Sequence, residues 1–115
     1  MSLNIFKISY SWYDGDKDEV FLVKDISEND FEKELMVCVH NAYTNITEED
    51  IVCVPVWYGK IIELMLEKNY TIVNLMENIE LEKEYIVDDE YIKDKYVPYI
   101  IKKTKHIQFI NLKCN

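Results

Sequence analysis

Residues 4–25 run NIFKISYSWYDGDKDEVFLVKD, which is two β-prone segments on either side of Asp14-Gly15. Both turn residues tolerate positive φ, and this dipeptide between alternating residues is a strong short-range signal for a β-hairpin. A two-residue loop sets Ile8 opposite Phe21 and leaves one hairpin face apolar and the other mixed. The segment therefore predicts a half-buried hairpin at the start of the fold.

Two amphipathic helices are predicted after the hairpin. Ser27-Glu28-Asn29-Asp30 resembles a capping box, which predicts a first helix that runs to about Tyr43. Pro55 suits the first turn of a second helix that ends near Lys68, while the state of residues 51–54 is left open. The apolar stripes are Phe31, Leu35, Cys38, Val39, Ala42 and Ile46 in the first helix, and Trp57, Tyr58, Ile61, Ile62, Leu64 and Met65 in the second.

Four more strands are predicted in the second half of the chain. They cover residues 70–75, 79–87, 96–101 and 107–112, and the acidic residues 88–90 between two of them predict a loop. The order β-β-α-α-β-β-β-β over residues 1–115 predicts one α+β domain. Its sheet is expected to be mainly antiparallel, with two helices packed on one face.

The charge is uneven along the chain. Net charge is −9, because residues 1–94 hold all 22 acids and eight lysines while residues 95–115 hold five lysines and no acid. Arginine is absent, so the guanidinium forks that read phosphate and guanine are missing, and a negative chain is repelled by nucleic acid. The expected partner is a protein with a basic surface, without direct nucleic-acid binding. The lysine-rich C-terminus also leaves a homo-oligomer open.

The compartment is predicted from what the sequence does not contain. It has no charged-then-apolar leader and no apolar run of the ~20 residues that span a bilayer, so a cytoplasmic protein without membrane contact is expected. Cys38, Cys53 and Cys114 are widely spaced and odd in number, which favours free thiols over disulfides.

No residue pattern indicates a chemical reaction, so no catalytic residue, metal or cofactor is expected. Asp14 to Asp18 begins like a calcium loop, but Glu19 and Asp25 stand where Gly and Glu are required. Asp88, Asp89, Glu90 and Asp94 are candidates to hold a magnesium ion. A run of charges between strands is more typical of a solvated loop, and that is the favoured interpretation. Cys38 and His40 point to different sides of the predicted helix.

The candidate partner-binding residues combine aromatic rings and carboxylates. They are Trp12, Tyr13, Asp14, Asp16, Asp18, Glu19, Asp88, Asp89 and Glu90. Aromatic side chains are favoured anchors in binding patches, and carboxylates steer a basic partner. For the cluster of Tyr10, Trp12 and Tyr13, packing against Trp57 and Tyr58 is favoured over an interface.

Residues 6–16 and 19–22, with 53–58 and 61–64, resemble small uncharacterised proteins of phages and mobile elements in AT-rich, low-GC bacteria. The resemblance implies a small accessory gene of a kind that often encodes inhibitors of host defence. Together with the acidic charge it leads to the hypothesis of a protein-binding accessory protein that inhibits a host defence nuclease in the manner of an anti-CRISPR, with an acidic face that blocks a basic nucleic-acid groove. An immunity or antitoxin-like protein that neutralises a toxin nuclease, a small-molecule-binding or sequestering protein, and a metal-dependent hydrolase stay open as alternatives.

Overall fold

The computed structural model describes residues 3–11, 17–44, 54–74, 81 and 83–104, together with the backbone of 109–113. Over these residues the order is β-β-α-α-β-β-β-β, as predicted. The elements are β1 (Asn4–Ser11), β2 (Lys17–Lys24), α1 (Glu28–Thr44), α2 (Val54–Glu67), β3 (Thr71–Val73), β4 (Lys83–Ile92), β5 (Lys95–Thr104) and β6 (Phe109–Lys113). The chain is therefore an α+β protein with two helices in its described part.

The described strands form one mixed sheet in the order β3-β2-β1-β4-β5-β6. Neighbouring strands are antiparallel except β1 and β4, which run parallel. The prediction of a mainly antiparallel sheet holds with this one exception. The parallel pair was not predicted, because alternation of apolar residues shows which face a side chain occupies and not which way its neighbour runs.

The predicted register of the first hairpin is wrong by one residue. Ile8 lies opposite Val20 instead of Phe21, and Ser11 opposite Lys17, so residues 12–16 connect the two strands. A shift of one residue exchanges the two faces of a strand. Leu22 is accordingly completely buried, whereas Phe21 is only half-buried. The sequence EVFLVK carries apolar residues on both faces of β2, so alternation could not select the inner one.

The helices begin where the sequence predicted. Ser27 caps α1, because its Oγ accepts a hydrogen bond from the backbone N–H of Asp30 at 3.2 Å. All members of the two predicted stripes that the structure describes are buried, except the half-buried Leu64. Asn69 follows α2 with a φ of 70°, a left-handed conformation common just after a helix end.

Both helices cover the same face of the sheet. Phe6 of β1 stacks on Phe31 of α1 at a centroid distance of 3.8 Å, and Tyr10 lies against Tyr58 of α2 at 4.6 Å. The Tyr58 hydroxyl donates to the carbonyl of Ile8 at 2.9 Å. Core packing is thus confirmed for Tyr10. None of the described helices is long and apolar enough to cross a membrane.

The predicted loop at residues 88–90 is wrong. These residues belong to β4, which continues to Ile92 and pairs with β5 along its whole length. The chain reverses instead at Lys93-Asp94. Three acids in a row resembled a solvated loop, but their cross-strand partners Val97, Pro98 and Tyr99 support an extended strand.

Candidate functional site

The topology brings two of the acidic stretches to one end of the sheet. Ser9 of β1 pairs with Glu19 of β2 on one side and with Ile86 of β4 on the other. Strands in a sheet lie about 4.8 Å apart, so Glu19 is roughly 10 Å from Ile86. Asp18 of β2 and residues 88–90 of β4 both lie beyond this row, toward the same end of the sheet. The remaining predicted site residues, Trp12, Tyr13, Asp14 and Asp16, lie outside the described residues.

Beyond this row, β4 and β5 continue together as a two-stranded extension. β1 pairs with β4 only at Glu84 to Ile86, and β6 pairs with β5 only from Tyr99 onward. In the described part of the chain, residues 88–98 therefore have no neighbouring strand except each other, and we call them the ribbon. The ribbon carries three of the predicted site residues on a narrow projecting element.

A two-residue turn holds the end of the ribbon. Ile92 and Lys95 are paired, and between them Lys93 and Asp94 have φ values of 49° and 66°. Positive φ at both central residues is the signature of a type I′ turn, whose twist matches that of the flanking strands. The turn fixes the register of the ribbon and hence which of its side chains share a face.

Side chains of the ribbon alternate between its two faces. Asp88 lies on the face away from the helices, where the Tyr99 hydroxyl donates to its Oδ2 at 3.3 Å. The backbone N–H of Asp89 donates to Asp88 Oδ1 at 2.8 Å. Asp89 and Tyr91 lie on the opposite face, which is continuous with the helix-covered face of the sheet. Both faces of the ribbon thus present a carboxylate.

Two exposed tyrosines form a pair on the ribbon. Tyr91 is 60% and Tyr96 54% exposed, and their ring centroids are 5.0 Å apart. The Tyr91 hydroxyl donates to Asp94 Oδ1 at 3.1 Å. Sequence reasoning did not select these residues. The available signal was their symmetric placement about Lys93-Asp94, which is visible only once that dipeptide is taken as the turn.

The aspartates of the ribbon are not neutralised by lysine. No described lysine forms an ion pair with Asp88 or Asp89. Partial burial and the neighbouring Asp88 charge raise the pKa of Asp89. A carboxylate that is partly desolvated beside another negative charge is stabilised when a cation approaches it.

Glu19, in contrast, belongs to an ion-pair network on the sheet face opposite the helices. Lys7 Nζ lies 3.1 Å from Glu19 Oε1 and 3.4 Å from Glu84 Oε2, and Lys17 contacts both carboxylates. Ser9 Oγ donates to Glu84 at 2.7 Å. Burial raises the pKa of Glu84, but the hydrogen bonds from Lys17 and Ser9 outweigh it and leave the pKa below its usual range. Two positive charges offset the two carboxylates, so Glu19 is largely neutralised within the chain.

Three of the four carboxylates of α1 are neutralised in the same way. The ion pairs that tie α1 to the sheet are Glu28–Lys83, Glu28–Lys102, Glu32–Lys102 and Glu34–Lys24. Lys102 lies 2.6 Å from Glu28 and 3.1 Å from Glu32, so one lysine of the positive C-terminal segment balances two helix acids. Glu28, Glu32 and Glu34 thus tie α1 to the sheet, while the exposed Asp30 in the first turn has no lysine partner among the described residues.

The described residues assemble no catalytic or metal-binding constellation. Cys38 is a buried free thiol, and burial raises its pKa to about 11, which disfavours the nucleophilic thiolate. No group of three or more acidic, histidine or cysteine side chains fit to hold a metal ion occurs in the part searched, which includes residues 88–94. Of the calcium-loop candidate, residues 17–24 form strand β2.

One open groove bears on the small-molecule alternative. It has a volume of about 330 Å³ and lies at the opposite end of the sheet from the ribbon, between the starts of β1, α1 and β4. Its lining includes Phe6, Leu81 and the ion-paired Glu28 and Lys83. A sequestering protein is expected to have an enclosed apolar pocket, whereas this groove is open and mixes apolar side chains with the Glu28–Lys83 ion pair.

Comparisons of the chain with protein-family models, curated proteins and solved structures found no match. The carboxylates and tyrosines of the ribbon offer negative charge and exposed ring surface.

Proposed function

We propose that this chain is a protein-binding accessory protein that engages a basic surface of another protein through the ribbon. The observation behind this proposal is that some acids of the fold are paired with lysine and others are not. Glu28, Glu32 and Glu34 of α1, with Glu19 and Glu84, are each paired with lysine inside the fold. Asp88 and Asp89, like the exposed Asp25, Asp30 and Glu67 elsewhere, have no lysine partner among the described residues, and only the ribbon places two such acids side by side. Both aspartates are half-buried, so part of each carboxylate stays accessible to a partner.

The shape of the ribbon fits this use. A two-stranded element that extends past its sheet can enter a groove that the body of the protein cannot, and its carboxylates meet the groove walls from both faces. Complementary charge mainly increases the association rate and is weakened by salt. A basic nucleic-acid groove has this shape and charge, so the partner class we propose is a nuclease of host defence. A toxin nuclease neutralised by an immunity-like protein is the alternative partner.

The experiment is affinity capture with the purified chain from a lysate of its host, at about 50 mM and about 500 mM salt, because such contacts weaken over this range of Debye lengths. The variant is Asp88→Asn with Asp89→Asn. The matched control is Asp25→Asn with Glu67→Gln, which removes the same amount of charge from two exposed acids outside the ribbon. Captured proteins are identified by mass spectrometry.

We expect a basic nucleic-acid-handling protein that is retained at low salt by the wild type and the control and released at high salt. The ribbon variant should bind it roughly tenfold more weakly, which corresponds to loss of two rim charge contacts. Equal losses in the ribbon variant and the control, or capture that salt does not affect, would count against the proposal.

A further inference from the structure

The Tyr91–Tyr96 pair differs from the other aromatic side chains of the chain. Phe6, Phe31 and Tyr85 are buried in contact with one another or with α1, and Tyr10 and Tyr58 pack together in the core. Among the aromatic side chains that the structure describes, only Tyr91 and Tyr96 are more than half exposed. Their contact therefore leaves most of the surface of both rings in water.

Two carboxylates lie beside these exposed rings, and the turn between the rings also carries Lys93 and Lys95. Asp89 precedes Tyr91 by two residues on the same face of β4, a separation of roughly 7 Å along a strand. Asp94 accepts the hydrogen bond of the Tyr91 hydroxyl at 3.1 Å, so a second carboxylate is held at the ring edge. Ring faces and carboxylates both attract cations, and the same cation can contact both here.

We infer that Tyr91 and Tyr96, with Asp89 and Asp94, form an anchor site for an arginine side chain of the partner protein. This inference rests on the proposed function and specifies its contact. Arginine fits better than lysine because a planar guanidinium can stack on a tyrosine ring while its N–H groups, which point outward in the guanidinium plane, donate to carboxylates beside the ring. The ammonium of lysine is more strongly hydrated and has no flat face to stack.

A second copy of this chain fits the site less well. Residues 88–98 hold four acids and two lysines, so a symmetric contact between two ribbons brings like net charge together. The chain also has no arginine to supply the stacking cation. The charge of the surroundings thus selects a basic partner of different sequence.

The test uses the full chain and three probes, acetylated hexa-arginine, hexa-lysine and hexa-citrulline, in NMR titrations of the backbone amides at low salt. Citrulline keeps the planar shape of arginine without its charge. We expect shift changes concentrated on residues 88–98, with hexa-arginine bound about fivefold more tightly than hexa-lysine. Hexa-citrulline should cause no saturable shift.

Two variants separate stacking from folding. Tyr91→Ala with Tyr96→Ala should remove the preference for arginine over lysine, whereas Tyr91→Phe with Tyr96→Phe should keep it because the rings remain. If the alanine variant unfolds the ribbon, the phenylalanine variant and the three wild-type titrations still decide the question. Equal affinities for hexa-arginine and hexa-lysine, or shifts centred elsewhere, would refute the anchor.

Failure of the anchor and failure of the proposed function give different results. If arginine preference is absent while Asp88→Asn with Asp89→Asn still weakens salt-sensitive capture and the control does not, the anchor is wrong and the proposed function stands. If the chain dimerises in analytical ultracentrifugation and the alanine variant abolishes dimerisation, the tyrosines form a contact between copies and the anchor is again wrong.

Discussion

Glu84 is the one carboxylate that the described part of the chain buries. It is held by Ser9, Lys7 and Lys17 on the face of the sheet that the helices do not cover. Its charge is tolerated there because every neighbour is a donor or a cation, which is the condition for a buried ion pair. At the scale of single residues, this network shows how the protein uses acids for stability.

Replacing Glu84 should change how the free energy of unfolding depends on pH. The pKa of Glu84 is lowered in the fold, so its ionisation stabilises the protein fully above pH 4.5 and less as the pH falls through the folded value. We expect Glu84→Gln to reduce the free energy of unfolding by about 2 kcal/mol at neutral pH. The difference from wild type should shrink in acid, which urea unfolding at several pH values measures.

Glu63→Gln is the control for this prediction. Its side chain is 64% exposed and lies 3.7 Å from Lys60, so the change should cost less than about 0.5 kcal/mol at any pH. A constant difference between Glu84→Gln and wild type from neutral pH to acid would show that the charge of Glu84 does not stabilise the fold.

At the scale of elements, local signals identified the helices better than the strand pairings. Ser27, Pro55 and the buried stripe around Phe31 act within one or two turns, and the structure bears out all three. Strand register depends on loop length, and the Asp14-Gly15 signal gave a loop shorter than the five residues that separate Ser11 from Lys17. When two strands are far apart in the sequence, neither strand alone has a residue pattern that shows which strand it pairs with.

For the same reason, the sequence did not predict the ribbon. Lys93 rarely occupies positive φ, and Asp94 stands where a type I′ turn favours glycine, so the turn had no Asn-Gly or Asp-Gly pair to mark it. The acids at 88–90 could be predicted as exposed. Their place in a strand, and the pairing of Tyr91 with Tyr96, follow only from the register of β4 with β5.

Replacing the turn should stabilise the ribbon. Lys93→Asn with Asp94→Gly places the residues that favour a type I′ turn where φ is 49° and 66°. We expect the cross-strand amides of Glu90 and Val97 to exchange several-fold more slowly with deuterium, since about 1 kcal/mol of backbone strain is relieved. Lys93→Ala with Asp94→Ala is the control and should not slow exchange. Equal exchange in both variants would mean that the turn is not strained.

At the scale of the whole molecule, folding redistributes the charge that the sequence shows. The first 94 residues carry a balance of −14 and the last 21 a balance of +5. Lys102 of the positive segment folds onto Glu28 and Glu32, and Lys83 joins it at Glu28. Net charge could be read from the sequence, but which acids remain available depends on helix placement and strand order. Asp88 and Asp89 of the ribbon have no lysine partner among the described residues.

The most direct test of this account is the salt dependence of affinity for the captured partner, measured by titration calorimetry from about 50 to 500 mM salt. The slope of log affinity against log salt should be shallower for Asp88→Asn with Asp89→Asn than for wild type, and unchanged for Asp25→Asn with Glu67→Gln. That result would locate the attractive charge on the ribbon. Equal slopes for all three proteins would contradict the account, because the ribbon would then contribute no more to the attraction than any other exposed acids.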